Sequence, residues 1–355
     1  MQSKNHFLLI DFLKTFAALT IILHHFSSYG QIAEDARLLL PGLMTWLFEY
    51  GRYAVQIFLV MAGYLAAQSL TRTSNLKNPQ TVLKSIFNRY LRLFAPYVVA
   101  LLVTIACAWV ARFWVQDEFV GESETMGQFL AHVFFLQGIL GLDSISAGVW
   151  YVAIDGQLYA ILAIMLSMFP GFRSLIWILA ILCVSSLLFF NRSGAYENYF
   201  IYFIGAYGLG VLAQLCKNYP DQNVNRFARI VFIGIGLIIL FSNFQQVWLR
   251  NILAYVVAIS LILWGDWAYQ DQMKIGMHKF VNAIFWGSRR SYCAFLVHFS
   301  CILLVNTLYI AWGMDQRRDG MLAIVMMAIA VMVSWIAATL LYRWVEVPSR
   351  QLKIP

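Results

Sequence analysis

Runs of about 20 predominantly apolar residues recur along the whole chain, and an α-helix needs a run of that length to cross a bilayer. The composition agrees, because 61% of the residues are hydrophobic and only 12% are charged, about half the charge of a water-soluble protein. The ten runs lie near residues 8–28, 47–70, 86–112, 149–169, 173–190, 197–216, 228–246, 249–268, 290–313 and 321–343. The sequence therefore predicts an all-α, polytopic membrane protein with about ten transmembrane helices. We expect residues 1–355 to form a single membrane-embedded domain.

A further apolar segment, residues 128–141, is too short to cross and predicts an interfacial or re-entrant helix. With this segment kept on one side, the basic residues separate as the positive-inside rule requires. Of 25 Lys and Arg residues, the outer side then keeps only Arg37, Arg52, Arg112, Arg192, Arg250, Arg317 and Arg318. We expect both termini in the cytoplasm. The net charge of +8 reflects this topology and contact with membrane lipids, not nucleic-acid binding, since no basic domain is present.

The first apolar run contains four ionisable side chains. Lys14 and His25 are 11 positions apart, so they differ by only about 20° around a helix axis and by about 16 Å along it. Asp11 falls within about 40° of His25, whereas His24 is turned about 100° away. Asp11, Lys14 and His25 therefore form one polar stripe along the first helix.

A charge at membrane depth costs at least about 2.5–3.5 kcal/mol, so this stripe should face protein or water and suggests a functional site. The alternative for Asp11 and Lys14 is an interfacial ion pair in which Lys14 extends to the surface. His25 has a weaker structural explanation, because leucine would fill an apolar core at lower cost. We predict that His25 is catalytic and that Asp11 lines the cavity.

Two arginines, Arg89 and Arg92, share one face near the cytoplasmic end of the third run. Two guanidinium groups at this spacing are suited to hold phosphate. Ordinary positive-inside flanking explains such a pair equally well.

Polar side chains also occur in two later runs. Asp155 is at a depth similar to that of His25, so it could orient the imidazole as in a catalytic dyad, or pair with Arg52. Tyr159 follows on the same helix. His298 lies near mid-membrane, where it either lines the same cavity or hydrogen-bonds to a neighbouring helix. We found no nucleotide, zinc-protease or hydrolase motif.

Six segments, in order, resemble the acyltransferase 3 family of integral membrane acyltransferases. They are IDFLKTFAALTIILHH, AVQIFLVMAGYL, the R-x-x-R of Arg89 and Arg92, WYVAIDGQLY, SYCAFLVH and YRWVEVPSRQL. The sequence departs from the family pattern at three positions, where Asp155 replaces Glu, Ala62 replaces Ser and Lys14 replaces Arg.

The resemblance implies a multi-pass O-acyltransferase of a bacterial inner membrane. It would transfer an acyl group, usually acetyl, from a cytoplasmic acyl-CoA to a hydroxyl of a surface glycan or lipid-linked sugar. On this interpretation Lys14, Arg89 and Arg92 bind the phosphates of the co-substrate. His25 removes the acceptor proton or first takes the acyl group itself. We expect neither a metal nor a permanently bound cofactor. The competing class is a transporter or flippase for a glycan or lipid.

Overall fold

The computed structural model describes residues 7–73, 75–115, 118–169, 171–242, 246–266 and 275–351. Within these ranges the chain contains helices and no strands, which confirms the predicted all-α class. The helices are α1 (Leu8–Ser28), α2 (Gln31–Leu39), α3 (Pro41–Tyr50), α4 (Ala54–Thr71), α5 (Pro79–Ala111), α6 (Met126–Val133), α7 (Trp150–Met168), α8 (Phe172–Leu188), α9 (Phe200–Asn218), α10 (Gln222–Phe241), α11 (Gln246–Trp264), α12 (Ile275–Ala311) and α13 (Gly320–Leu341). A π-helical segment, Tyr342–Glu346, follows α13.

In the described part of the chain, 9 helical stretches are long and apolar enough to cross a membrane. They correspond to all of the predicted spans except the one near 249–268, where the apolar helix is the shorter Trp248–Trp264. Helix α11 as a whole, with 19 residues, rises about 28 Å, close to the hydrocarbon core of about 30 Å. The polytopic architecture is thus confirmed. The cytoplasmic position of both termini stays a prediction.

Helix α5 begins well before its apolar run. The Asn78 side chain accepts a hydrogen bond from the backbone N–H of Gln80 at 2.9 Å, and Pro79 occupies the first turn. Both features favour helix initiation independently of hydrophobicity. Because of this early start, Arg89 and Arg92 lie about three turns inside the helix and not at its end.

The short segment predicted at 128–141 does not cross. It contains α6, whose 8 residues rise only about 12 Å. A capping box between Thr125 and Gln128 starts the helix. The backbone N–H of Ile145 donates to Nε2 of the buried His132 at 3.1 Å, so Nδ1 carries the proton that is donated to the Gln128 carbonyl at 2.8 Å. The His132 side chain therefore joins α6 to the backbone at Ile145.

Two helices form the interior of the bundle. Of an 18-residue apolar stretch in each helix, 83% is buried in α9 and in α12, compared with 33% in α10. Helices α4 and α9 approach closely through glycines: a Cβ added at Gly63 would lie 2.0 Å from the Tyr207 carbonyl oxygen, and one at Gly210 would lie 1.9 Å from that of Val60. Small residues permit this backbone contact between membrane helices.

Helix α1 packs against both α4 and α12. The Thr15 hydroxyl donates to the Ile284 carbonyl at 2.9 Å, and Gly287 leaves room for the Thr15 side chain. The first half of α1 joins one buried cluster through Leu13, and its last turns join a second through Phe26. The polar stripe of α1 is therefore enclosed by protein.

Candidate active site

Two histidines face each other inside the bundle. His25 is in the last turn of α1, His298 is in α12, and their ring centroids are 5.0 Å apart. His25 is 8% exposed and His298 is fully buried. Within the described residues, His25 Nδ1 and His298 Nε2 are buried without a hydrogen-bond partner. His298 Nδ1 lies 3.3 Å from the carbonyl of Ala294 in its own helix. The structure thus has His298 beside His25. That His298 lines the same cavity stays a prediction.

His24 has a different environment. Its Nδ1 donates to the Leu47 carbonyl of α3 at 2.9 Å, and its Cβ would lie 2.8 Å from a Cβ at Gly51. His24 therefore packs α1 against the α3 region, in the direction that the helical periodicity predicts.

Aromatic rings connect the histidine pair with the first turn of α7. Phe295 lies between Tyr151, at 5.5 Å, and His298, at 6.0 Å between ring centroids. On the other side, Tyr29 stacks on His25 at 5.6 Å with ring planes 13° apart. The rings from Tyr151 to Tyr29 thus form a continuous series of contacts with the histidines at its centre.

Asp155 does not form the predicted hydrogen bond with His25. Its Oδ2 accepts a hydrogen bond from Nη2 of Arg89 at 2.6 Å, and the two side chains form a salt bridge in which Asp155 is 5% exposed and Arg89 is 26% exposed. This pair also excludes the alternative with Arg52 as the direct partner. Helices α5 and α7 pack against each other, and this packing brings Arg89, about three turns from the start of α5, beside Asp155.

Several polar atoms around this ion pair have no partner in the described part of the chain. They are Arg89 Nε, Asp155 Oδ1 and the hydroxyl oxygen of Tyr207. The Arg89 guanidinium also lies over the Tyr159 ring, 5.5 Å from its centroid. Buried polar groups normally have hydrogen-bond partners, so these atoms indicate a place for water or for a polar ligand.

The structure brings together the three basic residues that the sequence assigned to the donor. The positive charges of Arg92 and Arg89 act on Lys14, as does the negative charge of Asp11. Asp11 also accepts a hydrogen bond from the Ser288 hydroxyl of α12. Three arginine charges and one carboxylate therefore act on Lys14, and this excess of positive charge favours an anionic ligand.

Arg350 belongs to this cluster, and the sequence interpretation gave it no role. Its charge acts on both Lys14 and Arg92. Its Nη2 donates to Glu346 at 2.7 Å, and Glu346 is buried and also accepts from the Cys293 thiol at 2.9 Å. We call Lys14, Arg89, Arg92 and Arg350 the basic cluster. The closing motif V-E-x-P-x-R was visible in the sequence, but the π-helical turn that directs it inward was not.

A cavity of about 370 Å³ lies at the C-terminal end of α1. Its wall includes Tyr29, the residue that stacks on His25. Burial raises the pKa of the Tyr29 hydroxyl, so this group stays protonated at neutral pH. Tyr29 was also absent from the sequence-based site, because an aromatic residue next to a predicted membrane boundary is ordinary.

The fold and the site define a polytopic, all-α membrane protein with a buried histidine pair between a basic cluster and the cavity beside Tyr29. The model of the acyltransferase domain family Acyl_transf_3 matches residues 7–343 of the 355 residues. The chain therefore belongs to this family, which confirms the resemblance seen in the six motifs, and is a membrane acyltransferase. Neither the curated proteins nor the solved structures compared with the chain gave a match.

Proposed function

We propose that this protein transfers an acyl group, most simply acetyl, from a cytoplasmic acyl-CoA to a hydroxyl of a surface glycan or lipid-linked sugar. The observation that carries the proposal is the series of side-chain contacts between the basic cluster and the histidine pair. Arg89 and Asp155 begin it, Tyr151 lies one turn before Asp155 on α7, and ring contacts continue from Tyr151 through Phe295 to His298 and His25. An active site for a long, amphipathic co-substrate needs such a track.

The basic cluster fits the anionic end of the co-substrate. Lys14, Arg92 and Arg350 offer three positive charges, and charge-assisted hydrogen bonds to phosphate are among the stronger polar contacts in proteins. Arg89 and Arg350 both donate one amino group to a carboxylate, but Arg89 is the less exposed of the two, at 26% against 37%, and its guanidinium also lies over the Tyr159 ring. We therefore assign Lys14, Arg92 and Arg350 to the phosphates, and we assign Arg89 to the inner wall beside them.

The unpaired polar atoms beyond the cluster fit the pantetheine arm. This arm carries two amide groups between the phosphates and the thioester. Arg89 Nε is a donor, Asp155 Oδ1 is an acceptor and the Tyr207 hydroxyl is both. Pairing with the amides would satisfy these buried groups and guide the thioester toward the histidines.

The histidine pair supplies acid–base chemistry. His25 accepts the proton of the acceptor hydroxyl as its oxygen bonds to the thioester carbonyl carbon. The carbon–sulfur bond then breaks, and the CoA sulfur leaves with a proton. A neutral imidazole suits this step near pH 7. His298 is adjacent, and we assign it the orienting role that was predicted for Asp155.

Binding of CoA to purified protein in nanodiscs tests the donor site. Arg92→Gln should weaken CoA binding by about ten- to a hundredfold, which corresponds to loss of one charge-assisted contact. Arg72→Gln, an exposed residue at the end of α4, is the matched control and should bind CoA normally. No CoA binding by the unmodified protein, with export of a glycan or lipid preserved in cells, would indicate the transporter instead.

The acceptor is tested in the cell. Surface glycans from a bacterial strain lacking this protein should lose an O-acyl group, detected by mass spectrometry. Complementation with the unmodified chain should restore the group, and complementation with His25→Ala should not. An unchanged acylation pattern in the deletion strain would refute a glycan acceptor.

A further inference from the structure

A group of arginine and aromatic side chains lies where α12 and α13 reach the membrane boundary. The apolar stretch His278–Ala311 has 34 residues and rises about 51 Å, well over the hydrocarbon core of about 30 Å. Arg290 is about 31 Å from the Ala311 end, so it lies near the depth at which the core stops. Helix α13, with 22 residues, completes one crossing of about 33 Å at Leu341. The group is therefore at the level of the lipid headgroups.

Arg290 is held in one orientation by two rings and two hydrogen bonds. Its guanidinium carbon lies 4.5 Å from the Trp286 ring centroid and 5.2 Å from that of Tyr342. Nε donates to the Thr339 hydroxyl at 3.1 Å, and Nη1 donates to the Trp286 carbonyl at 2.9 Å. Within the described part of the chain, Nη2 donates no hydrogen bond. The planar group thus offers its remaining N–H donors to a ligand with little further loss of side-chain entropy. We call Arg290, Trp286, Thr339 and Tyr342 the Arg290 site.

The charge around the Arg290 site is positive. The charges of Arg289 and Arg343 both act on Arg290. Glu346, in the same π-helical segment as Arg343, is buried and already accepts a hydrogen bond from Arg350. Among the residues that the structure describes, no carboxylate forms a salt bridge with Arg290. An anion is therefore attracted to this site.

The surface around the site suits a lipid better than a water-soluble anion. The ring of Trp286 contacts that of Trp335 at 5.4 Å between centroids, and Trp344 is 71% exposed. Tryptophan is enriched at the level of the lipid headgroups. Ile336 and Leu340, in the last two turns of α13, are exposed as well. Apolar surface therefore leads from the arginine into the hydrocarbon region.

We propose that the Arg290 site binds one anionic phospholipid. The headgroup phosphate accepts hydrogen bonds from the remaining N–H groups of Arg290, and an acyl chain lies along Ile336 and Leu340. The charges of Arg289 and Arg343 favour a lipid with a net negative charge. Phosphatidylcholine is disfavoured, because its ammonium group is repelled by the same arginines.

The site adjoins the basic cluster but faces the membrane. The Tyr342 ring lies 5.2 Å from the guanidinium carbon of Arg290 and 5.4 Å from that of Arg350. Arg350 acts on Lys14 in the interior, whereas Arg290 has exposed tryptophans beside it. CoA is the competing anion, since its phosphates could in principle extend past Tyr342. The experiment therefore includes CoA as a competitor.

Native mass spectrometry of the purified protein in detergent measures the affinity for the first bound lipid. The probes are phosphatidylglycerol and phosphatidylcholine with identical acyl chains. The unmodified protein should bind phosphatidylglycerol at least about fivefold more tightly, as expected for one arginine at a membrane surface. Arg290→Gln should remove this preference. Arg72→Gln removes the same charge from an exposed position at the end of α4 and should keep it.

Arg290→Lys separates a defined site from general attraction of positive charge to a membrane. It keeps the charge but loses the planar group and its stacking, so most of the preference should be lost. Full preference in Arg290→Lys would overturn the proposal, as would equal affinities for the two lipids or a preference that survives Arg290→Gln. Circular dichroism checks that each variant is folded, and if Arg290→Gln is not, the lysine variant decides.

Two competitors distinguish the lipid from other anions. Excess CoA and excess inorganic phosphate should both leave the bound phosphatidylglycerol in place, because neither has an acyl chain that reaches Ile336 and Leu340. Displacement by CoA would overturn the proposal and assign Arg290 to the donor site. Displacement by inorganic phosphate would overturn it in favour of a site for free phosphate.

Discussion

The ion pair between Arg89 and Asp155 offers a quantitative prediction, because its two members are buried to different degrees. Asp155 is 5% exposed and Arg89 is 26% exposed. Arg89→Gln leaves a carboxylate in the interior without its cation. Breaking a buried pair in this way costs about 3–5 kcal/mol. We therefore expect Arg89→Gln to lower the free energy of unfolding by about 3–5 kcal/mol.

Asp155→Asn has a smaller expected effect. A quarter of the Arg89 side chain is already exposed, so its guanidinium can turn toward water or toward the Tyr159 ring that it covers. We expect a loss of about 1–2 kcal/mol, near the cost of one unmade hydrogen bond to a charged group. The double variant Arg89→Gln, Asp155→Asn contains two neutral amides that can bond to each other. Its destabilisation should be smaller than the sum of the two single effects by at least about 2 kcal/mol.

Equilibrium unfolding in mixed detergent micelles measures these free energies, with the fluorescence of the 12 tryptophans as the signal. CoA binding is measured on the same samples, and the donor affinity of folded Arg89→Gln should fall less than that of Arg92→Gln. Two results would refute the reasoning: single substitutions within about 0.5 kcal/mol of the unmodified protein, or strictly additive effects in the double variant.

Three further predictions concern other parts of the molecule. His25→Ala should abolish acyl transfer with CoA binding retained, whereas His24→Ala should keep activity and lose about 1 kcal/mol of stability with its backbone hydrogen bond; the opposite pattern in a transfer assay would mean that the wrong histidine is assigned. Arg350→Gln should weaken CoA binding about tenfold or more, while Arg343→Gln, an exposed arginine in the preceding π-helical segment, should not, and equal affinities by calorimetry would remove Arg350 from the donor site. Gly210→Ala should destabilise the bundle by about 3 kcal/mol or more, because its methyl group would meet a backbone carbonyl of α4; normal stability in the unfolding assay would contradict the close contact.

The identity of the chemical histidine illustrates what helical periodicity can predict. His24 and His25 are adjacent in sequence and have the same side chain, but about 100° of rotation separates their directions on a helix. This local geometry is enough to group His25 with Lys14 and to direct His24 elsewhere. The structure has His24 against α3 and His25 against His298.

The partner of Asp155 could not be predicted from the periodicity of a single helix. Its depth was estimated by counting residues from a predicted membrane boundary, and such boundaries are uncertain by two to four residues, or about one turn. Helix α5 then begins before its apolar run because of the Asn78 cap and Pro79. The packing of α5 against α7 then brings Arg89 into contact with Asp155.

The sequence by itself determined the membrane class, the 9 long spans in the described part of the chain, the family and the face of α1 that carries the polar stripe. These features depend on composition, on runs of fixed length and on a period within one helix, all of which are local. The tertiary structure alone decided that Arg89 pairs with Asp155, that His298 lies beside His25, that Arg350 joins the basic cluster and that a cavity opens behind Tyr29. Each of these contacts joins segments far apart in the chain. They depend on how neighbouring helices rotate and slide against each other, and that is fixed by close packing such as the glycine contacts of α4 and α9.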